Sequence, residues 1–187
     1  MRRLHDAAPG ACASPKDLPQ TAPRPAPDTI RLRPYRRGDA PALHHVFHQA
    51  VHQATRSLYS PAERLAWSPS ATPPPWWEQR LADQITLVAQ AKGPAGQALR
   101  LGFMTLGHDG HLDFAYVLPA CQGTGIAARL HDRLLTTARA KGLTRLDTEA
   151  SLIGRRFFLR QGWAEGPRVL HRFGEETLSA MRMHLTL

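Results

Sequence analysis

The residues best suited to chemistry lie in one run, Leu112 to Arg129, LDFAYVLPACQGTGIAAR. An alternating apolar stretch enters a turn carrying Gly123 and Gly125, and an amphipathic stretch leaves it. The N–H groups at such a helix start have no intrahelical partners, and the helix dipole adds partial positive charge. Glycines there let a ligand approach the backbone without a Cβ in the way, so the turn is suited to phosphate. Gly123-Thr124-Gly125-Ile126-Ala127-Ala128 also satisfies the dinucleotide pattern G-x-G-x-x-A, with Asp147 near the end of the next strand. Two features weigh against that reading: Pro119 to Gln122 separate the strand from the first glycine, and only 59 residues follow Ala128, too few to complete a doubly wound sheet. A nucleotide-binding P-loop is excluded, because no Gly-Lys-Ser/Thr is present.

Other side chains could also do chemistry. His44, His48 and His52 recur at helical spacing, with His45 beside them. They read as the polar face of a helix rather than as metal ligands, and no metal is expected. Cys121 has no evident His or Asp partner, so nucleophilic catalysis is not indicated. Arg129 and Arg133 follow the turn by one and two helical steps, and Arg155-Arg156 open a later helix; any of these could meet a phosphate.

The elements that must position these groups follow from patterning. Ile30 to Arg33 alternates as a strand. Asp39 reads as the cap of a helix with the stripe Leu43, Val46, Phe47, Ala50, Val51, Ala54. Pro61 to Trp67 is helical, and a Pro-rich loop leads to Trp76-Trp77, core or lid, and a further short helix. Strands are predicted over Ile85 to Ala91, Leu99 to Leu106, His111 to Leu118 and Leu143 to Thr148. A helix is predicted from Gly123 to Ala140, and another is capped by Ser151 and runs to Gln161. Two strands around Gly174-Glu175-Glu176 complete a mixed α/β domain over residues 30–187.

Residues 1–29 differ from this domain: they hold six of the 16 prolines and few large apolar residues. They read as a disordered tail, or as an over-extended start of the reading frame. They lack the apolar run of a signal peptide, and Asp6, Asp17 and Asp28 argue against a transit peptide. The chain has 187 residues, 42% hydrophobic and 21% charged, enough for one domain with a core. No apolar run approaches the ~18 residues of a membrane span. The formal charge is +9, carried by arginine, with Lys16, Lys92 and Lys141 the lysines. The charge suits a polyanionic partner, but no basic patch interleaved with aromatics points to nucleic acid.

Gln122-Gly123-Thr124-Gly125-Ile126-Ala127 also fits Q/R-x-x-G-x-G/A after a Tyr-Val-x-Pro strand end. That combination resembles the GCN5-related N-acetyltransferases, the GNAT superfamily, from about Ile30 to Leu187. Further features resemble a bacterial small-molecule subgroup: Ala50-Val51-His52, Tyr59-Ser60-Pro61, Ala66-Trp67, Asp113 ahead of Tyr116-Val117, Ala150-Ser151, and Phe157-Phe158 before Gly162-Trp163. The resemblance implies a twisted, mostly antiparallel sheet with helices on both faces. It implies acetyl-CoA as co-substrate, with its pyrophosphate on Gln122, Gly123, Thr124, Gly125, Ile126 and Ala127. It implies the pantetheine arm on Val117 and Leu118, with Ser151 and Phe158 beside it. An N–H at the strand end could stabilise the oxyanion formed when an amine attacks the thioester.

Acetyl transfer needs a neutral amine. Asp113 is the first candidate base, because period-2 alternation puts it on one face with Ala115 and Val117. Glu149 is the reserve. His52, Tyr59 and Trp67 are expected to line the acceptor pocket. Where many members of the family carry a proton-donating tyrosine, this chain has Phe158, which has no proton to give. Alternation sends Tyr116 to the face opposite Asp113. The expectation is an enzyme, a cytoplasmic N-acetyltransferase moving acetyl directly to a small-molecule amine in a ternary complex. Neither nucleic acid nor membrane is an expected partner, and a homodimer is left open. The rival is a non-catalytic acyl-CoA-binding or sensing module, favoured by Phe158.

Overall fold

In the computed structural model residues 29–187 are described; the tail expected over residues 1–29 lies outside them apart from Thr29. The alternating segment Arg31–Pro34 forms β1, and Ala40–Gln49 forms α1, burying Leu43, Val46 and Phe47. One π-helical turn, Ala50–Ala54, continues α1. Pro61–Trp67 (α2) starts with a capping box: the Ser60 hydroxyl accepts from the Glu63 N–H at 3.1 Å, and the Glu63 carboxylate accepts from the Ser60 N–H at 2.7 Å. Then come α3 (Trp77–Ala82), β2 (Ile85–Lys92), β3 (Ala98–Leu106) and β4 (Leu112–Val117). A 3-10 turn, Pro119–Cys121, leads to α4 (Ile126–Ala140), β5 (Arg145–Ala150), α5 (Leu152–Arg160), β6 (Ala164–Phe173) and β7 (Glu176–Thr186).

The strands form two antiparallel sheets, ordered β1-β2-β3-β4 and β5-β7-β6. This is the expected mixed α/β architecture. The sheets meet where β4 begins beside β5. The Asp147 N–H donates to the Gly110 carbonyl at 3.2 Å, the Thr148 hydroxyl donates to the Leu112 carbonyl at 2.7 Å, and His111 pairs with Asp147 across 2.6 Å. Beyond this junction β4 and β5 belong to different sheets, and a cleft opens between them.

Apolar side chains on the two faces define two cores. Leu101, Met104, Leu130, Leu134, Leu146 and Met183 belong to the larger one, toward α4 and α5. Leu43, Phe47, Val51, Trp77, Leu81, Val88 and Phe103 pack toward α1 and α3. No helix among the described residues is long and apolar enough to cross a membrane.

Two local expectations are corrected. The Asp39 carboxylate does not cap α1. It is buried and held by the Arg33 guanidinium at 2.6 and 2.8 Å, by Arg100 Nε at 2.9 Å and by the Arg36 N–H at 2.9 Å. Burial alone raises its pKa, but these donors outweigh it and bring the pKa to about 2. The helix after the glycine turn begins at Ile126 rather than Gly123, because Gly123 and Gly125 take positive φ, 75° and 81°, which a right-handed helix cannot contain.

β4 carries a bulge. Between the pairs Met104↔Ala115 and Leu106↔Leu112, Asp113 and Phe114 together face Thr105 of β3. The Thr105 hydroxyl accepts from the Phe114 N–H at 2.9 Å, closing the gap in the ladder.

Candidate active site

The cleft between β4 and β5 has a volume of about 470 Å³. Its floor is Ala115, Tyr116 and Val117 of β4. One wall is the turn at Cys121–Gly123 with Gly125–Ala128, and the opposite wall is α5 with Ser151, Ile153, Gly154, Phe157 and Phe158. Ala54 and Thr55 at the end of the π turn, together with Trp67 at the end of α2, close the remaining side.

The turn leaves open space in front of it. A Cβ placed on Gly123 or Gly125 would meet nothing within 4 Å, so it is not protein packing that requires glycine at either place. Positive φ requires it, and the space ahead stays open. The Thr124 hydroxyl donates to the Cys121 carbonyl at 2.6 Å and fixes the bend. Behind the bend, α4 presents the unpaired N–H groups of its first turn. A diphosphate fits this cradle of backbone donors.

The β4 edge is a second ligand surface. The N–H groups of Phe114 and Leu118 point to β3, donating to the Thr105 hydroxyl and, at 2.8 Å, to the Leu101 carbonyl. Backbone direction alternates along a strand, so the N–H and C=O of Val117 and Ala115 point away from β3, into the splay. An extended amide-bearing chain laid along this edge would find paired donors and acceptors. Cradle and edge together fit the diphosphate and pantetheine of acetyl-CoA.

The structure places the expected site residues unevenly. Val117, Gln122, Gly123, Gly125, Ile126, Ala127, Ser151, Phe158 and Trp67 line one cleft. Thr124 sits inside the turn, and Leu118 packs into the core with its N–H taken by Leu101. The Ser151 hydroxyl accepts from the Gly154 N–H at 3.2 Å as the cap of α5.

Neither candidate base reaches the cleft. The bulge breaks the period-2 alternation, so Asp113 does not point with Ala115 and Val117. Both its oxygens accept from Arg80, at 2.7 and 2.8 Å, and Gln84 adds a third bond at 2.8 Å. Arg80 in turn lies over Phe114, 5.1 Å from the ring centre. Glu149 is held by Arg182 and His171, each at 3.0 Å.

Tyr59 and His52 hold structure together instead of lining the pocket. The buried Tyr59 hydroxyl accepts from the Leu152 N–H at 3.0 Å and donates to the Ser179 carbonyl at 3.2 Å, tying α5 to β7. His52 Nε2 donates to the Ser68 carbonyl at 2.8 Å, His48 Nδ1 meets the Ser68 hydroxyl at 2.8 Å, and His44 Nδ1 donates to the Ala71 carbonyl at 3.1 Å. The three imidazoles thus fasten the loop after α2 to α1. Burial, with the neighbouring imidazoles, pushes the His48 pKa down to about 4.

Of the arginines, Arg129 donates to the Ile30 carbonyl at 2.9 Å and Arg155 pairs with Glu165 at 2.6 Å. Arg133 lies against β1 and β2, while Arg160 lines the cleft. Sequence reasoning missed Arg160, the π-turn residues Ala54 and Thr55, and Tyr116, which the bulge directs to the side of Asp113. Burial raises the Tyr116 pKa far above the usual phenol range, Asp113 adds to the rise, and the Trp67 indole works against it.

Residues 56–187 match the model of the acetyltransferase (GNAT) domain. No curated protein matches the chain. Among solved structures, a GCN5-related N-acetyltransferase from Rhodopseudomonas palustris is 29% identical with a TM-score of 0.77, covering 90% of this chain and 99% of that one. The YncA protein of Salmonella typhimurium, solved with its cofactor acetyl-CoA, is 21% identical with a TM-score of 0.58, over 85% and 94% of the two chains. The PaiA N-acetyltransferase of Thermoplasma acidophilum, in complex with coenzyme A, is 16% identical with a TM-score of 0.65, over 84% and 99%.

Proposed function

Because the chain belongs to the GNAT acetyltransferase family and is an acetyl-CoA-dependent N-acetyltransferase, we propose that it transfers acetyl directly to the amine of a small molecule within a ternary complex. One observation carries this reading: the cradle, the free β4 edge and an aromatic-walled mouth open into one cleft. Donor and acceptor can therefore meet without a relay.

In this reading the N–H groups of the turn from Gln122 to Ala127 hold the diphosphate, and the Val117 edge holds the pantetheine, flanked by Ser151 and Phe158. The bound thioester supplies an activated carbonyl. The Val117 N–H, aimed into the splay, faces the oxygen on which charge develops. The acceptor enters past Trp67, Ala54, Thr55 and Tyr116, a neutral and mainly apolar surface. That surface suits a compact amine better than a polycation, which would need carboxylates. No Asp or Glu is among the residues lining the cleft, so the amine loses its proton to water and not to Asp113 or Glu149. Cys121 lines the cleft wall but is only 3% exposed, and in direct transfer it carries no acetyl group.

Thiol release from acetyl-CoA across a panel of small amines tests this directly. Intersecting initial-velocity lines are expected when both substrates are varied. Parallel lines would overturn direct transfer. No release with any small amine, alongside acetylation of a protein terminus, would overturn the small-molecule reading.

A further inference from the structure

Position 158 carries no proton. Its phenylalanine is 3% exposed and packs on Trp163, ring centres 4.9 Å apart. Of the other hydroxyls along the cleft, Thr55 donates to the Val51 carbonyl at 2.6 Å, and the Ser151 oxygen accepts from the Gly154 N–H at 3.2 Å as the cap of α5. Tyr116 differs. Its ring is fixed among Phe47, Phe103 and Phe114 at centre distances of 5.0, 5.9 and 6.1 Å. It lines the cleft beside Trp67, and it precedes Val117, whose backbone faces the splay. The Trp67 indole N–H donates to its oxygen, which leaves the hydroxyl proton to be given.

We propose that the Tyr116 hydroxyl is the hydrogen-bond donor to the departing sulfur, taking from β4 the place that α5 leaves empty at Phe158. The assignment rests on the acetyl-transfer reading above. In that reaction the amine lone pair forms the C–N bond, the C–S bond breaks with its electron pair on sulfur, and the proton lost by the amine reaches that sulfur through water. The phenol supplies no net proton. Burial holds its pKa well above the ~8.5 of a thiol, so it stays protonated while it steadies the negative sulfur. Its aryl packing fixes the direction of the O–H before the donor arrives, which makes the contact available without reorganisation.

Tyr116→Phe keeps the ring and removes the hydroxyl. Expected are a fall in kcat of about 10- to 100-fold, a KM for acetyl-CoA within about twofold, and an unchanged melting midpoint. Adding Phe158→Tyr to this variant should recover part of kcat by restoring a hydroxyl on α5. A variant kcat within about twofold of the wild type overturns the assignment. So does an unchanged kcat with a raised KM for the amine, which would make Tyr116 an acceptor-binding group. A wild type that releases no thiol with any amine overturns the transfer reading itself, whereas an active wild type and an equally active variant overturn only the role of Tyr116.

Discussion

The indole N–H of Trp163 donates to Nε2 of His131 across 2.9 Å, with both rings buried between α4 and α5. Nε2 must therefore be the accepting nitrogen, and His131 is neutral with its hydrogen on Nδ1. Burial lowers its pKa, against the pull of Asp132, 3.7 Å from Nδ1. Protonation would set two N–H groups against each other.

The acid limb of stability follows. His44, His45, His48 and His131 all have folded pKa values below the 6.5 of a free imidazole, His48 at about 4. Below pH 6.5 the unfolded chain binds protons that the folded chain refuses. Stability is therefore full above pH 6.5 and falls as pH drops toward the folded values, by up to about 1.4 kcal/mol per pH unit for each proton. Urea midpoints should decline between pH 7 and pH 4. A midpoint flat from pH 7 to pH 5 would contradict the neutral assignments.

Asp39 gives a second, separate acid step. Its side chain is 2% exposed, and it holds Arg33 and Arg100, 11% and 21% exposed. With its pKa lowered from 3.8 to about 2, its contribution is present above pH 3.8 and lost as pH falls through about 2. Asp39→Ala leaves two guanidinium groups facing each other in a half-buried site and should cost about 3–5 kcal/mol. Chemical denaturation at pH 7 measures this; a loss under about 1 kcal/mol would mean that the arginines find water at once.

Gly125→Ala separates two requirements of the turn. At φ 81° an alanine is strained by about 1–2 kcal/mol. Its methyl would also project into space that the protein leaves open, where the diphosphate is proposed to lie. Calorimetry should show acetyl-CoA binding weakened by at least about tenfold, more than the strain alone requires. Unaltered binding would move the diphosphate elsewhere.

Asp113→Asn should leave kcat within about threefold and leave its pH dependence unchanged. The pair with Arg80, whose side chain is 48% exposed, is worth about 0.2–1 kcal/mol at most. A hundredfold loss, or a lost acid limb of the pH profile, would return the carboxylate to the chemistry.

Element types and the glycine turn were legible because each has a local cause: stripes at 3.6 or 2 residues, and glycines where φ turns positive. The β4 bulge was not legible. It depends on how Thr105 meets two residues of the neighbouring strand, and no periodicity within β4 encodes that. One inserted residue moved Asp113 from the face of Ala115 and Val117 to that of Tyr116. The roles of His52 and Tyr59 were hidden for a related reason. Both partners, Ser68 and Ser179, are backbone carbonyls, and a carbonyl leaves no trace in residue type. Trp76 and Trp77 look alike in sequence, yet Trp77 is 1% exposed with its indole N–H donating to the Ala40 carbonyl, while Trp76 is 53% exposed. The capping box of Ser60 and Glu63 marks where α2 begins.

The division of labour around the cleft also bears on descent. In the proposed reading the donor is addressed by main-chain groups of the turn and of Val117, which most substitutions leave unaltered. In the same reading the acceptor would be met by side chains at Ala54, Thr55 and Trp67, which line the cleft from a π turn and a helix end. Mutations there can retarget the catalyst one amine at a time while its grip on the common acyl donor is inherited intact.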